Sequence, residues 1–216
     1  MGQYVVGIDL GQANDFTAIS VIERLPQVVT EKKPVRMGAD TFMKTVTAEK
    51  PPHLHCRQLG RADLGTKYPE IVRKTKAMLE TPQLDGAVLV VDATGVGRGV
   101  VDYFREAGLR PVAVHITSGA TAHYDNGFWY VPKRDLVSAA QVPLQDKRLV
   151  FTQTSELNET LVREMQAFKI KITAAANDTY GAWREGEHDD LIFAVMLASW
   201  AAQRIKPRTP PRSREY

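Results

Sequence analysis

Val5, Val6, Ile8 and Leu10 form an apolar, largely β-branched run of strand length, residues 17–22 form a second, and residues 11–14 between them have turn composition. This pattern predicts a hairpin that opens a sheet. Residues 25–52 mix prolines, charges and short apolar pieces and predict one exposed strand, and residues 53–59 alternate well enough for another. From Thr66 the pattern changes to helical, with Pro69 in the first turn and Tyr68, Ile71, Val72, Thr75 and Leu79 on one face. Residues 86–92 are an unbroken apolar strand of the kind buried on both faces. A glycine-rich turn then leads into a helix over 100–107, closed by Gly108, and residues 110–116 give a further strand. Alternation of strand and helix argues an α/β layered fold.

Residues 121–131 read as a hairpin around Asn126-Gly127, a strong turn signal between aromatic and β-branched residues. Its Tyr124, Phe128, Trp129 and Tyr130 cannot all face inward, so most should pack on the core and one or two should stay outside. Residues 133–145 and 155–168 are amphipathic helices with a short strand, 149–152, between them; Leu157, Leu161, Met165 and Phe168 form the inner stripe of the second. Residues 169–174 and 179–183 flank Asn177-Asp178 as another strand-turn-strand element. The last helix starts at residues 187–190 and is apolar nearly all round, which predicts burial against the sheet. After Arg204 the tail is basic and proline-rich and is expected not to fold, so residues 1–204 form one domain and 205–216 a tail.

Composition narrows the function classes. A net charge of +3 excludes a strongly acidic protein but does not by itself imply nucleic-acid binding. The single cysteine, Cys56, excludes an internal disulfide and suits a reducing compartment. The amino terminus lacks the basic n-region of a signal peptide, and the longest apolar run, 191–202, is too short to span a membrane. His53, His55 and Cys56 lack the second ligand pair of a zinc site, so they read as the outer face of a strand. Gly95, Gly97 and Gly99 do not fit G-x-G-x-x-G, and no Walker A sequence occurs, so the glycines read as a sharp strand-to-helix turn.

The candidate chemistry lies in the acids. Asp9 sits inside an apolar strand, where a carboxylate is costly to bury unless it is paired or binds a metal. Asp92 ends the central strand, Asp189 and Asp190 start the buried helix, and Asp15 across the first hairpin could lean in. A helix's first turn favours acids, which explains one surface aspartate well and an adjacent pair at the mouth of a core helix poorly. Clustered carboxylates repel and are driven toward protonation unless a cation joins them, and hard oxygen ligands in this number suit Mg²⁺ or Mn²⁺. Two such ions, roughly 3.5–4 Å apart, clamp the attacking and leaving oxygens of an in-line displacement at phosphorus.

Gly7-Ile8-Asp9-Leu10-Gly11, Val91-Asp92-Ala93-Thr94-Gly95-Val96-Gly97, Val131-Pro132-Lys133-Arg134-Asp135-Leu136 and His188-Asp189-Asp190-Leu191, followed by an alanine-rich helix, resemble the nuclease domain of tailed-bacteriophage large terminase subunits. The likeness runs from Tyr4 to about Arg204. It implies a ribonuclease H-like α/β fold, a mixed central sheet flanked by helices with an extra hairpin, and a metal-dependent endonuclease that cuts concatemeric double-stranded DNA during viral packaging. By position, Asp9, Asp92 and Asp190 would bind metal, with Asp189 and Asp15 placing the second of two ions or a water. It also implies a hairpin near the site that governs access of DNA, for which residues 121–131 are the natural candidate. Double-stranded DNA, a packaging ATPase domain, a portal and a small terminase subunit are the implied partners. The implied location is the cytoplasm of the infected host cell, with no membrane partner and a monomeric isolated domain. The absent Walker A sequence makes the chain look like an excised or separately encoded nuclease half. Holliday-junction resolvases and transposase-like enzymes share the acids. The opening Gly7-Ile8-Asp9-Leu10-Gly11 also resembles the first phosphate loop of actin-like and sugar-kinase ATPases, whose second phosphate loop is missing here.

Overall fold

The computed structural model describes residues 2–11, 15–37, 40–95, 97–153, 155–168, 170–172, 178–180 and 189–204. The opening hairpin is β1 (Gln3–Asp9) and β2 (Ala18–Met37), followed by β3 (Asp40–Arg61), α1 (Tyr68–Leu79) and β4 (Val88–Asp92). Next come α2 (Gly97–Glu106), β5 (Val112–Thr117), β6 (His123–Asp125), β7 (Phe128–Pro132) and α3 (Lys133–Gln145). The chain closes with β8 (Leu149–Phe151), α4 (Asn158–Ala167), β9 (Ile170–Ile172), β10 (Asp178–Tyr180) and α5 (Asp190–Arg204). Eight strands form one mixed sheet in the order β6-β7-β5-β4-β1-β2-β3-β8, and β9 pairs with β10 apart from it. This is the expected α/β architecture, a mixed sheet flanked by helices. Among the described residues no helix is long and apolar enough to cross a membrane.

The two faces of the sheet carry separate cores, and the alternation of side chains along each central strand supplies both. On β1, Val5 joins the cluster that holds α3, α4 and α5, while Val6 and Ile8 join the cluster that holds α1 and α2. On β4, Val90 goes to the first cluster and Leu89 and Val91 to the second. Helix α5 is buried along its whole length to Ala202, as its all-round apolar sequence predicts. It lies directly on β1 because Gly7 has no side chain: a Cβ there would stand 2.3 Å from the carbonyl oxygen of Ala194 and 2.9 Å from the Ala198 Cβ. The Ser20 hydroxyl on β2 donates to the same Ala194 carbonyl at 2.7 Å.

Two expectations need correction. Residues 25–52 are not one exposed strand; β2 and β3 continue through them as a long two-stranded ribbon, paired from Gln27↔Lys50 to Met37↔Asp40. Among the described residues the ribbon has no buried face to impose an apolar alternation, and its pairing rests on backbone hydrogen bonds, so the hydrophobic pattern misses it. The hairpin over 121–131 forms as β6 and β7, but β7 runs parallel to β5, β4 and β1, so its Asn126-Gly127 turn lies at the amino ends of those strands. Residues 118–122, which join β5 to β6, and the end of β7 at Val131 and Pro132 lie at the carboxyl edge. Phe128 is buried, Trp129 packs edge-on against Trp200 with 5.5 Å between ring centroids, and Tyr124 is exposed, as expected for a set split between core and surface.

The Gly7 contact gives a direct test. Gly7→Ala should lower stability by about 1–3 kcal/mol, the usual cost of overpacking, because the clash is with backbone and α5 must move. Urea unfolding should show a lower midpoint with an unchanged slope; a wild-type midpoint would contradict the packing described.

Candidate active site

The carboxylates gather by strand register. Ile8 on β1 pairs with Val91 on β4, so Asp9 and Asp92 follow as neighbours at the carboxyl ends of adjacent parallel strands. Ile8 and Val91 both face the α1–α2 core, so the next residue on each strand points to the other face, where α5 lies. Asp189 and Asp190 stand at the mouth of α5, with the Asp189 carbonyl accepting the Phe193 N–H at 3.1 Å. The Gly7–Ala194 contact sits two residues before Asp9 and one helical turn after Asp190, so it sets how closely sheet acids and helix acids approach.

Electrostatics report the same convergence. Burial, followed by repulsion from Asp92, Asp190, Asp189 and Asp15, holds the Asp9 carboxyl well above the ordinary carboxylate range. Burial pushes Asp92 up to about 6, against the backbone N–H of Thr94, which donates to Asp92 Oδ1 at 2.7 Å. Burial and the adjacent Asp190 push Asp189 up to about 7, while Lys133 opposes the rise. The turn after Asp92 is fixed by Gly95, at φ +79°, and by the Thr94 hydroxyl, which accepts the Ile116 N–H at 2.7 Å. This agrees with the structural reading of the glycines. Asp15 is exposed beyond the hairpin and joins the group only through its charge on Asp9.

Three further residues complete the surroundings, and the sequence reading did not select them. Arg61, at the end of β3, is ion-paired with Glu164 on α4 and lies 3.4 Å from Asp190 Oδ2. Its guanidinium also sits over the Phe16 ring, 4.6 Å from the centroid. Glu164 accepts the Ile192 N–H through its other oxygen at 3.0 Å, tying α4 to the first turn of α5. Lys133, the first residue of α3, lies against the Phe168 and Phe193 rings at 5.5 and 5.1 Å, where burial pulls its pKa down and Asp189 pulls it back up. Glu164 did leave a signal: it falls three residues after Leu161, on the inner stripe of α4, where an acid is anomalous. Lys133 follows a strand that ends on the acids' edge. Arg61 left none.

The donor set fits a hard divalent cation, since it is all carboxylate and the buried Asp189 Oδ2 has no hydrogen-bond partner among the described residues. The fit is one of chemistry rather than of a closed cage. Among the described residues no three His, Cys, Asp or Glu side chains are gathered tightly enough to hold an ion as they stand. His53 and His55 lie edge to face, but Cys56 is not on the outer face with them: it points into the core, where burial pushes its thiol up to about 12. His188 and the tail 205–216 lie outside the described residues.

Solved structures share this arrangement of chain. The large terminase nuclease from thermophilic phage G20c with bound magnesium matches at 20% identity and a TM-score of 0.57, covering 92% of this chain and 80% of that one. The large terminase nuclease domain of Thermus phage P74-26 matches at 18% identity and 0.55, covering 96% and 84%. The HK97 bacteriophage large terminase matches at 11% identity and 0.53, with 93% of this chain covering 40% of that one. No family model matches the sequence, and no curated protein matches it. At these identities the likeness establishes the fold: the chain has the architecture of the phage large terminase nuclease domains.

The raised carboxyls predict a pH signature. An acid whose folded pKa lies above its ordinary value binds more protons folded than unfolded, so its stabilising contribution is present at low pH and is lost as pH rises through the folded value. With Asp92 raised from 3.8 to about 6 and Asp189 from 3.8 to about 7, the metal-free protein should lose thermal stability from about pH 4 to about pH 7. Mn²⁺ should restore it, most at the high end. A pH series of thermal melts with and without Mn²⁺ measures this, and a metal effect independent of pH would contradict it.

Proposed function

We propose that this chain is the metal-dependent endonuclease of a phage DNA-packaging terminase large subunit, cutting concatemeric double-stranded DNA by phosphodiester hydrolysis with two Mg²⁺ or Mn²⁺ ions. The observation that supports the reading is that Asp9 and Asp92 follow paired residues of adjacent strands and that Asp92, Asp189 and Asp190 lie near enough for their charges to raise the Asp9 carboxyl. Support comes from the fold, shared with phage terminase nucleases, one of which is described with bound magnesium. The sequence motifs around the same acids point the same way.

In this reading Asp9 and Asp92 offer oxygens from the sheet and Asp190 from the helix, while Asp189 and Asp15 place the second ion or a water. Bound ions would acidify that water and neutralise the charge that builds on the phosphate. The protein's own part is to hold the acids against their repulsion, to link Asp190 to Arg61 and Glu164, and to set the Lys133 cation beside Asp189. The nuclease would work in the infected host's cytoplasm as a monomeric unit, beside a packaging ATPase, a portal and a small terminase subunit.

Purified protein should nick and linearise plasmid with Mg²⁺ or Mn²⁺ and cut linear duplex in preference to branched junctions. Asp92→Ala should lower the rate by roughly a hundredfold or more, the scale for losing one preorganised electrostatic partner of a transition state. Its metal-free melting temperature should hold or rise, because one of several crowded like charges is gone. An Asp92→Ala protein with wild-type cleavage would remove Asp92 from the site.

A further inference from the structure

The ribbon made by β2 and β3 has no part in the acid pocket. Residues 18–24 of β2 pair with β1 and residues 54–56 of β3 pair with β8, and beyond them, among the described residues, the two strands pair only with each other. β2 runs from Ala18, beside Asp9, to Arg24, beside Gln3, so the ribbon leaves the sheet at the edge opposite the carboxylates. At about 3.3 Å per residue it reaches roughly 40 Å outward. No described residue from 25 to 51 is buried, and Val28, Phe42 and Met43 are 59%, 56% and 62% exposed. A lone two-stranded ribbon is marginally stable in water, so one this long calls for a surface to lie on.

Charge indicates which surface. Residues 27–50 carry Lys32, Lys33, Arg36, Lys44 and Lys50 against Glu31, Asp40 and Glu49. Residues 205–216 carry four basic residues and one acid, and the remaining 180 carry nineteen basic residues against twenty-one acids. The body that holds the pocket is therefore net negative and the ribbon net positive. The pairing register places Lys32 and Arg36 on one face, and Lys33, Lys44 and Lys50 on the other. Lys33 stands directly opposite Lys44, an arrangement that destabilises a bare sheet and that an anion between them would relieve. The acid nearest Lys33, Glu31, is 3.8 Å away with both side chains more than half exposed, a pair worth little in water.

The apolar side chains are split in the same way, with Val28, Pro34 and Met43 on one face and Val29, Val35, Phe42, Val46 and Ala48 on the other, where Lys33 and Lys44 divide Val35 and Phe42 from the rest. Neither face offers the contiguous apolar patch that a protein partner would bury. A duplex groove has phosphates along both walls and admits a two-stranded ribbon, and isolated apolar side chains there meet thymine methyls or base steps. We infer that the ribbon is a second duplex-DNA-binding element, gripping phosphates through Lys32, Lys33, Arg36 and Lys44 at a distance from the acid pocket. It rests on the proposed nuclease function for the choice of nucleic acid and on the ribbon alone for the contact.

The test uses the full chain in EDTA, where no cutting occurs, and a labelled duplex of roughly 40 base pairs, long enough to span ribbon and body. Replacing Lys32, Lys33, Arg36 and Lys44 together by Gln should weaken binding at least tenfold. It should also flatten the plot of log affinity against log salt by about 3.6, the slope of four lost phosphate contacts. Lys33→Gln with Lys44→Gln should flatten it by about half as much and melt no lower than wild type, since their mutual repulsion is removed. Unchanged affinity and slope in these folded variants would overturn the inference and leave the ribbon to a protein partner. The nuclease reading is scored separately, by Mn²⁺-dependent cutting of a duplex of about 10 base pairs, too short to reach the ribbon. A wild type that binds through the ribbon but never cuts would sink that reading alone, and one that cuts but binds independently of the ribbon would sink the inference alone.

Discussion

The seat of α5 on β1 is the contact on which the rest of the molecule depends. A buried helix can approach a strand this closely only where no side chain intervenes, and Gly7 provides the gap, with the Ala194 carbonyl in it and Ser20 bonded to that carbonyl from the next strand. The contact is apolar packing and one hydrogen bond, yet its consequence is electrostatic. It presses Asp189 and Asp190 toward Asp9 and Asp92, and the stability of two well-filled cores holds together carboxylates that would otherwise separate. The fold thus stores repulsion at one edge, and a bound divalent cation would release it.

Around that edge the protein arranges partial compensation. Arg61 and Glu164 form a buried ion pair that also touches Asp190 and the first turn of α5, and Lys133 faces Asp189 from the start of α3. Breaking a buried pair by removing one partner costs about 3–5 kcal/mol, so Arg61 and Glu164 matter to stability whatever they do for chemistry. Burial holds Asp92 at about 6 and Asp189 at about 7, with the adjacent Asp190 adding to the rise at Asp189.

The central elements were legible because burial writes itself into a sequence. The apolar runs of β1 and β4 and the inner stripes of α3 and α4 report what the core demands, and an acid such as Asp9 or Asp92 stands out against such a background. The ribbon was hidden for the opposite reason: with both faces in solvent, Val28, Lys33, Phe42 and Lys44 follow no apolar period, and Pro26, Pro34, Pro51 and Pro52 suggest loop. The hairpin at 121–131 was recognised as a hairpin, but which end of the sheet its turn occupies depends on the parallel pairing of β7 with β5, which is long-range information. Arg61 could not be foreseen, because its partners come from α4 and α5, about a hundred residues or more along the chain.

The proposed function requires Asp9, Asp92 and Asp190 to share divalent ions. Anomalous diffraction from crystals soaked in Mn²⁺ addresses it without reference to activity. Manganese peaks are expected within direct coordination distance, about 2.0–2.2 Å, of oxygens from all three residues, with the carboxylates drawn inward. Crystals that take up manganese elsewhere, or that show these three acids unmoved and without metal at saturating concentration, would contradict it.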